Sequence, residues 1–376
     1  MLDFSITALD PETSARAAEL DTPHGTVRTP AFMPVGTAGT VKGMAAWELE
    51  RLAPEMVLAN TYHLLLRPGV DRIEKMGGLH RLMAWPGPIL TDSGGYQVFS
   101  LAARRSLDDD GVTFRSHLDG SAHRLTPESV VETQARYGVD VAMVLDECLP
   151  YPVEMADARE SVARSIEWAR RALAHAQKMR AESTLWGGGL FAIQQGSVDE
   201  ALRRRCTDEL AGHDFDGFAV GGLAVGEPME VLHEAVAMAA PMLPANRPRY
   251  LMGVGYPRDI VHAVACGVDL FDCVLPTRSA RTGKVFTSVG EINIKNARFA
   301  DDLEPLDEAC NCPTCGAYSR AALRHLFIAR EVTSVVLLTL HNLSFFLNLM
   351  REAREAIMAG RYGRFRQRIE AICNSN

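Results

Sequence analysis

The residues with the clearest chemical potential lie in Gly267–Arg281, GVDLFDCVLPTRSAR. An apolar strand, Val268 to Phe271, ends on the carboxylate Asp272; a turn with Pro276 follows, then Arg278 and Arg281. In a parallel barrel a strand that ends on an acid delivers it to the carboxyl face, where catalytic residues gather. A carboxylate there can attack an electrophilic carbon, and the guanidinium groups behind it can grip an anionic polymer. Asp92 and Asp146 likewise follow apolar runs, Pro88–Thr91 and Asp140–Leu145. One such acid is ordinarily a helix cap or a salt-bridge partner, but three at equivalent strand ends converge on one mouth. Asp92 sits in TDSGGYQ, where Ser93 is followed by Gly94 and Gly95, which let a backbone approach a ligand, and Tyr96, which offers a ring face. Gln195 adds an amide, and Gly221 and Gly222 add accessible N–H groups. Acceptors, donors and a ring face together suit a planar heterocycle.

A second constellation is Cys310-x-Cys312-x2-Cys315. Three thiolates this close can share one tetrahedral Zn2+ if a fourth ligand arrives from elsewhere. His341, placed after the apolar run Val335–Leu340 at the start of a helix, is the first choice, and His325 competes with it. A Cys3His set has no open position for water, so one structural zinc is expected. The other five cysteines are scattered, which speaks for a reduced compartment and against a disulfide framework.

The elements that must position these groups are short apolar runs separated by helical segments. Strand-like runs are Pro30–Gly36, Met56–Asn60, Pro88–Thr91, Asp140–Leu145, Leu190–Ile193, Phe215–Val220, Tyr250–Val254 and Val268–Phe271. Runs without period-2 alternation belong to strands buried on both faces, hence to a parallel sheet. Helical patterns include Val41–Leu52, Thr126–Tyr137 (Thr126 as N-cap, Pro127 at the first position), Val153–Arg180, Asp199–Leu210 and Pro228–Ala239. Eight strands alternating with helices predict an α/β fold, a (β/α)8 TIM barrel. A doubly wound open sheet is the alternative, but no GxGxxG follows any strand. Residues 1–29 read as an N-terminal hairpin or cap. Residues 30–376 then form the barrel, with a hairpin-bearing insertion at Val98–Arg124 and a zinc subdomain inserted at about 283–341. A helix, Asn342–Gly360, completes the eighth unit.

The 376 residues are 47% hydrophobic and 23% charged, enough for a sizeable core. No stretch reads as a membrane span, and the start, MLDFSITALD, carries no signal pattern, so a cytoplasmic protein is expected. The net charge of −8 argues globally against nucleic acid. Locally the balance reverses: Arg278, Arg281, Lys284, Lys295 and Arg298 face only Glu291 in that stretch. Alone, such a segment is equally a solvated loop.

The motifs TDSGGYQVFSL, LDECLPYP, QQGS, GFAVGGLAVGE, LMGVGYPRDI, FDCVLPTRSAR and CNCPTC, with the later His341, resemble those of the queuine tRNA-ribosyltransferase (tRNA-guanine transglycosylase) family, in the same order over nearly the whole chain. The resemblance implies a barrel with an inserted zinc subdomain. It implies exchange of guanine at the wobble position of certain tRNAs for a 7-deazaguanine. Asp272 would be the nucleophile on the ribose C1′ and Asp92 the acid/base. Asp146, Gln195 and the Gly222 N–H would read the base, with Leu223 offering its carbonyl and Glu227 bracing that peptide. Tyr96 and Met252 would sandwich the ring. The segments Gly253, Val254, Gly255, Tyr256, Pro257, Arg258, Asp259 and Thr277, Arg278, Ser279, Ala280, Arg281 would contact tRNA. Cys148 and Val225 match the bacterial type that accepts the small aminomethyl base preQ1, and bacterial relatives are homodimers around the zinc region.

Chemistry agrees with this outline. Exchange with retention needs a covalent sugar intermediate, as in retaining glycosidases. A wobble base in a single-stranded loop can be splayed into a pocket and stacked. Two other readings are a barrel glycosidase, which leaves the cysteine knuckle and basic segment unused, and a non-catalytic tRNA-binding subunit, which would have no need of both Asp92 and Asp272.

Overall fold

The computed structural model describes residues 2–101, 105–182 and 186–374. Its centre is a ring of eight parallel strands: β1 (Ala31–Met33), β2 (Val57–Ala59), β3 (Ile89–Thr91), β4 (Val141–Met143), β5 (Gly189–Gln194), β6 (Gly217–Val220), β7 (Arg249–Leu251) and β8 (Leu270–Asp272). β2 to β8 pair in sequence, β8 pairs with β1, and the bridge between Val35 and Leu58 joins β1 to β2 and closes the barrel. Apart from Asp272, every strand residue is buried, which explains the unbroken apolar runs.

Local chemistry fixes the connecting helices. Thr126 and Ser129 form a reciprocal capping pair that starts helix Pro127–Tyr137. From that helix Gln134 bonds both the N–H and C=O of Met143 and accepts from Thr91, so it sets β4 against β3. Asp199 caps helix Glu200–Ala211 by accepting from the Leu202 N–H at 2.8 Å.

Strands Asp3–Leu9, Arg16–Thr22 and Gly25–Thr29 make an antiparallel sheet at the N-terminal ends of the barrel strands. Three buried acids hold it there, each just before a strand. Asp269 before β8 takes the Arg16 guanidinium at 2.9 and 2.6 Å. Asp216 before β6 accepts from Leu2 N–H at 2.7 Å. Asp140 before β4 accepts from the His24 N–H and lies 2.8 and 3.2 Å from the stacked His24 and His80 rings. A second antiparallel sheet, Arg105–Asp108, Gly111–Arg115 and Ala122–Leu125, follows β3.

Three readings of the sequence are corrected. The segment behind Asp272 is the helix Leu275–Thr282 and not a loop; Pro276 stands in its first turn, where its missing N–H costs nothing. The last long helix spans Val332–Met358, so His341 lies in its interior. This helix is also long and apolar enough to cross a membrane by composition, contrary to the expectation of no such stretch. The reason is packing: Leu338, Leu343, Phe346 and Met350 are buried between the barrel and the cysteine-bearing segment, so the helix needs apolar residues on more than one side.

Candidate functional site

The carboxyl ends of the strands open into a cavity of about 360 Å3. Asp92, Asp146 and Asp272 all line it, with Ser93, Gly94, Tyr96, Cys148, Gly222, Leu223, Val225 and Met252. A hollow of about 460 Å3 elsewhere, between the N-terminal sheet and helix Val332–Met358, has no such convergence; its Arg28 and Arg354 already share Glu55 at 3.0 Å each.

Asp92 directly follows β3 and is held by three donors: Asn60 Nδ2 at 2.5 Å and Gln97 Nε2 at 2.7 Å on Oδ2, and Thr61 N–H at 2.8 Å on Oδ1. Burial pushes its pKa up to about 6; the three donors oppose that rise and the Asp272 charge adds to it. Asp146 is also raised to about 6 by burial, opposed by Gln195 Nε2 at 2.6 Å and by Ser93 Oγ at 3.5 Å. Two carboxyls near 6 beside a third acid can divide proton-donating and proton-accepting work near neutral pH.

Asp272 closes β8 and stays partly open to water. Its Oδ1 accepts from the Tyr250 hydroxyl at 2.6 Å and from the Gly253 N–H at 2.8 Å. Desolvation raises its pKa, and these two bonds pull it back. Oδ1 is thereby occupied, and Oδ2 is the oxygen left for chemistry.

The wall after β6 is shaped by backbone. Glu227 accepts from the Ala224 N–H at 2.5 Å and the Val225 N–H at 3.0 Å, fixing the Leu223–Ala224 peptide. Gly222 has φ 64°, and a Cβ there would stand 2.4 Å from Gln195 Oε1, so a larger residue would be strained and would push against that amide. Tyr96 on the rim is 50% exposed, free to stack on a ligand ring.

The segments expected to meet an anionic polymer are only partly available. Gly253, Tyr256, Arg278 and Arg281 are exposed and Arg258 is partly so. Val254, Gly255, Pro257, Asp259, Thr277, Ser279 and Ala280 are buried, and the Asp259 carboxylate is engaged by His233 at 2.8 Å. Those residues shape the surface without forming it. Lys284 is paired with Glu291 and sits over the Tyr256 ring.

The ligand atoms of Cys310, Cys312, Cys315 and His341 all lie within 4.8 Å of one another. His341 Nδ1 is 3.5 Å from Cys312 Sγ and 3.2 Å from Cys315 Sγ, while its Nε2–H donates to the Phe286 carbonyl at 2.8 Å. That second bond fixes the tautomer with Nδ1 free to ligate. Hydrogen bonds from Cys310 and Cys315 hold the Cys312 thiol well below its ordinary range. The donor set fits one metal ion, and His325 is not part of it. Next to His341, Asn342 bonds the carbonyls of Pro276 and Lys284 and the Phe286 N–H, so the cluster's helix also anchors the basic helix.

Sequence reading missed Asn60, Gln97 and Tyr250. Each is polar and buried or half-buried beside a strand-end acid, and only the fold makes that adjacency visible.

A family model described as queuine tRNA-ribosyltransferase matches residues 10–374. Relatives bearing that name include one from Syntrophobacter fumaroxidans, 51% identical over 366 residues (97% of this chain, 96% of the relative). Another, from Nitratidesulfovibrio vulgaris, is 51% identical over 369 residues (98% and 96%). A third, from Zymomonas mobilis, is 49% identical over 370 residues (98% and 95%). With strand-end acids around one cavity, a Cys3His cluster and near-complete matches of this kind, the chain belongs to the queuine tRNA-ribosyltransferase family, enzymes that transfer a pentosyl group.

Proposed function

We propose that this enzyme exchanges guanine at the wobble position of tRNAs with GUN anticodons for the queuosine precursor preQ1, through a covalent enzyme–RNA intermediate. The observation that carries the reading is the single cavity shared by Asp92, Asp146 and Asp272, with one oxygen of Asp272 pinned and the other free. Asp272 Oδ2 attacks the ribose C1′ as the C1′–N9 bond breaks. The departing guanine takes its proton from Asp92, whose pKa near 6 lets it carry one close to neutrality. The incoming base returns a proton to Asp92, attacks C1′ from the vacated face and expels the Asp272 carboxylate. Two inversions give net retention.

Asp146, Gln195 and the Gly222 N–H read the base edge, where a wrong base would leave buried groups unpaired. Leu223 offers its carbonyl to the substituent of the incoming base, with its peptide braced by Glu227. Tyr96 and Met252 sandwich the ring. Cys148 and Val225 bound the space left for the substituent, which suits preQ1 better than a bulkier base. Tyr256, Arg258, Arg278 and Arg281 hold the anticodon loop through phosphates, helped by Lys295 and Arg298.

Zinc is the metal best matched to three thiolates and an imidazole, held by Cys310, Cys312, Cys315 and His341 in a structural role. A homodimer through the zinc region is the expectation carried by the family resemblance, and Trp47 and Val332, 70% and 76% exposed, are apolar side chains whose burial would favour such an interface. The exchange reading is tested by incubating the protein with unmodified tRNA and labelled guanine. Label entering the tRNA supports exchange; sugar release or binding without incorporation refutes it.

A further inference from the structure

Beneath the base-reading wall lies a cation that no step above uses. Arg203, on helix Glu200–Ala211, has no exposed surface and forms no ion pair among the described residues. Its guanidinium instead donates to uncharged oxygens: Ser197 O at 2.6 Å, Gly221 O at 2.9 Å, Gln194 Oε1 at 3.1 Å and Gln194 O at 3.4 Å. Burial lowers its pKa to about 10, so it remains charged near neutrality. A buried cation without a carboxylate is costly to keep, and its placement calls for a reason.

The reason lies in the peptide it holds. A trans peptide directs its C=O and N–H to opposite sides. The Gly221 carbonyl points down onto Arg203, so the Gly222 N–H points up into the cavity that Gly222 lines, where it reaches the Cys148 sulfur. A full positive charge on the carbonyl polarises the same amide and strengthens its N–H as a donor. The other bonds from Arg203 hold Gln194 and Ser197, which flank Gln195, the amide that bonds Asp146. One guanidinium thus sets the loops after β5 and β6 together.

We propose that Arg203 is the positioning residue for the carbonyl-reading half of the base site: it aims the Gly222 N–H at the carbonyl oxygen of the purine and strengthens that bond. The inference rests on the base-exchange reading. A role acting through one amide is selective for purines that carry the carbonyl, whereas a merely structural role would not distinguish them.

The test measures binding of guanine and of 2-aminopurine, which lacks the six-position carbonyl, to wild type, Arg203→Met and Arg203→Lys. Competition and 2-aminopurine fluorescence supply the readings. The expected result is a loss of guanine affinity of about 10–100-fold in Arg203→Met with 2-aminopurine changed less than about threefold, so the preference for guanine collapses. Arg203→Lys should lie between, with KM for guanine raised more than kcat is lowered. If Arg203→Met does not fold, the same ratio in Arg203→Lys decides. Equal losses for both purines, or an unchanged guanine affinity, overturn the proposal. Failure of wild type to incorporate labelled guanine sinks the parent reading instead, and the binding ratio stays readable in either case.

Discussion

Replacing Tyr250 by phenylalanine isolates one atom of the catalytic arrangement. The ring is 1% exposed and its hydroxyl lies 2.6 Å from Asp272 Oδ1, so Tyr250→Phe removes a donor without opening a cavity. A hydrogen bond to an ionised group contributes about 1.5–3 kcal/mol. That bond favours the charged carboxylate, so its loss raises the Asp272 pKa further. In the proposed reaction Asp272 attacks only when ionised, so activity is expected above its pKa and should fall as pH drops through it. The acid limb of kcat/KM should therefore move to higher pH. In the proposed second half-reaction the same bond would stabilise the carboxylate as it departs. Without it, release of the sugar should slow by about 10–100-fold, and more enzyme should stand covalently attached to RNA in the steady state. Rapid-quench denaturing gels and a pH series on the variant read both effects. An unmoved acid limb together with an unchanged adduct fraction would refute the idea that Tyr250 tunes Asp272.

Four further outcomes follow from the geometry. Asp146 is raised to about 6 by burial, so its protonated form stabilises the fold below about pH 4 and that stability is lost as pH rises through 6. Asp146→Asn should therefore be more stable than wild type at pH 8, by at most ~3 kcal/mol, while losing base affinity; thermal melts across pH check it. Cys312→Ala should lose bound metal and melt the segment around the hairpin Lys284–Asn293 before it alters chemistry at Asp272; metal content and hydrogen exchange would read this, and a metal-free, fully folded, active protein would contradict it. Arg278→Ala and Arg281→Ala should each weaken tRNA binding and lower the log–log salt slope by roughly 0.7–0.9, measured by titration at several salt concentrations. Asn60→Ala removes a donor that holds the Asp92 pKa down, so Asp92 should titrate above 6 and the pH profile shift upward with it.

Much of this was legible in the chain because the barrel writes itself as apolar runs ending on acids that line one cavity. Asp92 and Asp272 stand at strand ends as the pattern required, and Cys310, Cys312 and Cys315 carry their spacing in the sequence. What stayed hidden depends on direction in space. Asp140, Asp216 and Asp269 are strand acids too, but they precede their strands and tie down the N-terminal sheet. Pro276 looked like a turn because proline in a first helical turn and proline in a loop are alike in one dimension. His341 looked like a helix start because the apolar run before it is buried on more than one side and hides its helical period. Asn60, Gln97, Tyr250 and Arg203 act through neighbours remote in sequence, which no spacing reveals.

The central claim is a covalent bond between Asp272 and the ribose whose base has left. It is tested by mixing the enzyme with labelled tRNA, quenching without a replacement base and running a denaturing gel. The account predicts RNA attached to the wild-type protein, and none attached to Asp272→Asn although that variant still binds tRNA. A wild-type lane free of attached RNA while exchange proceeds, or an adduct that survives in Asp272→Asn, would contradict it.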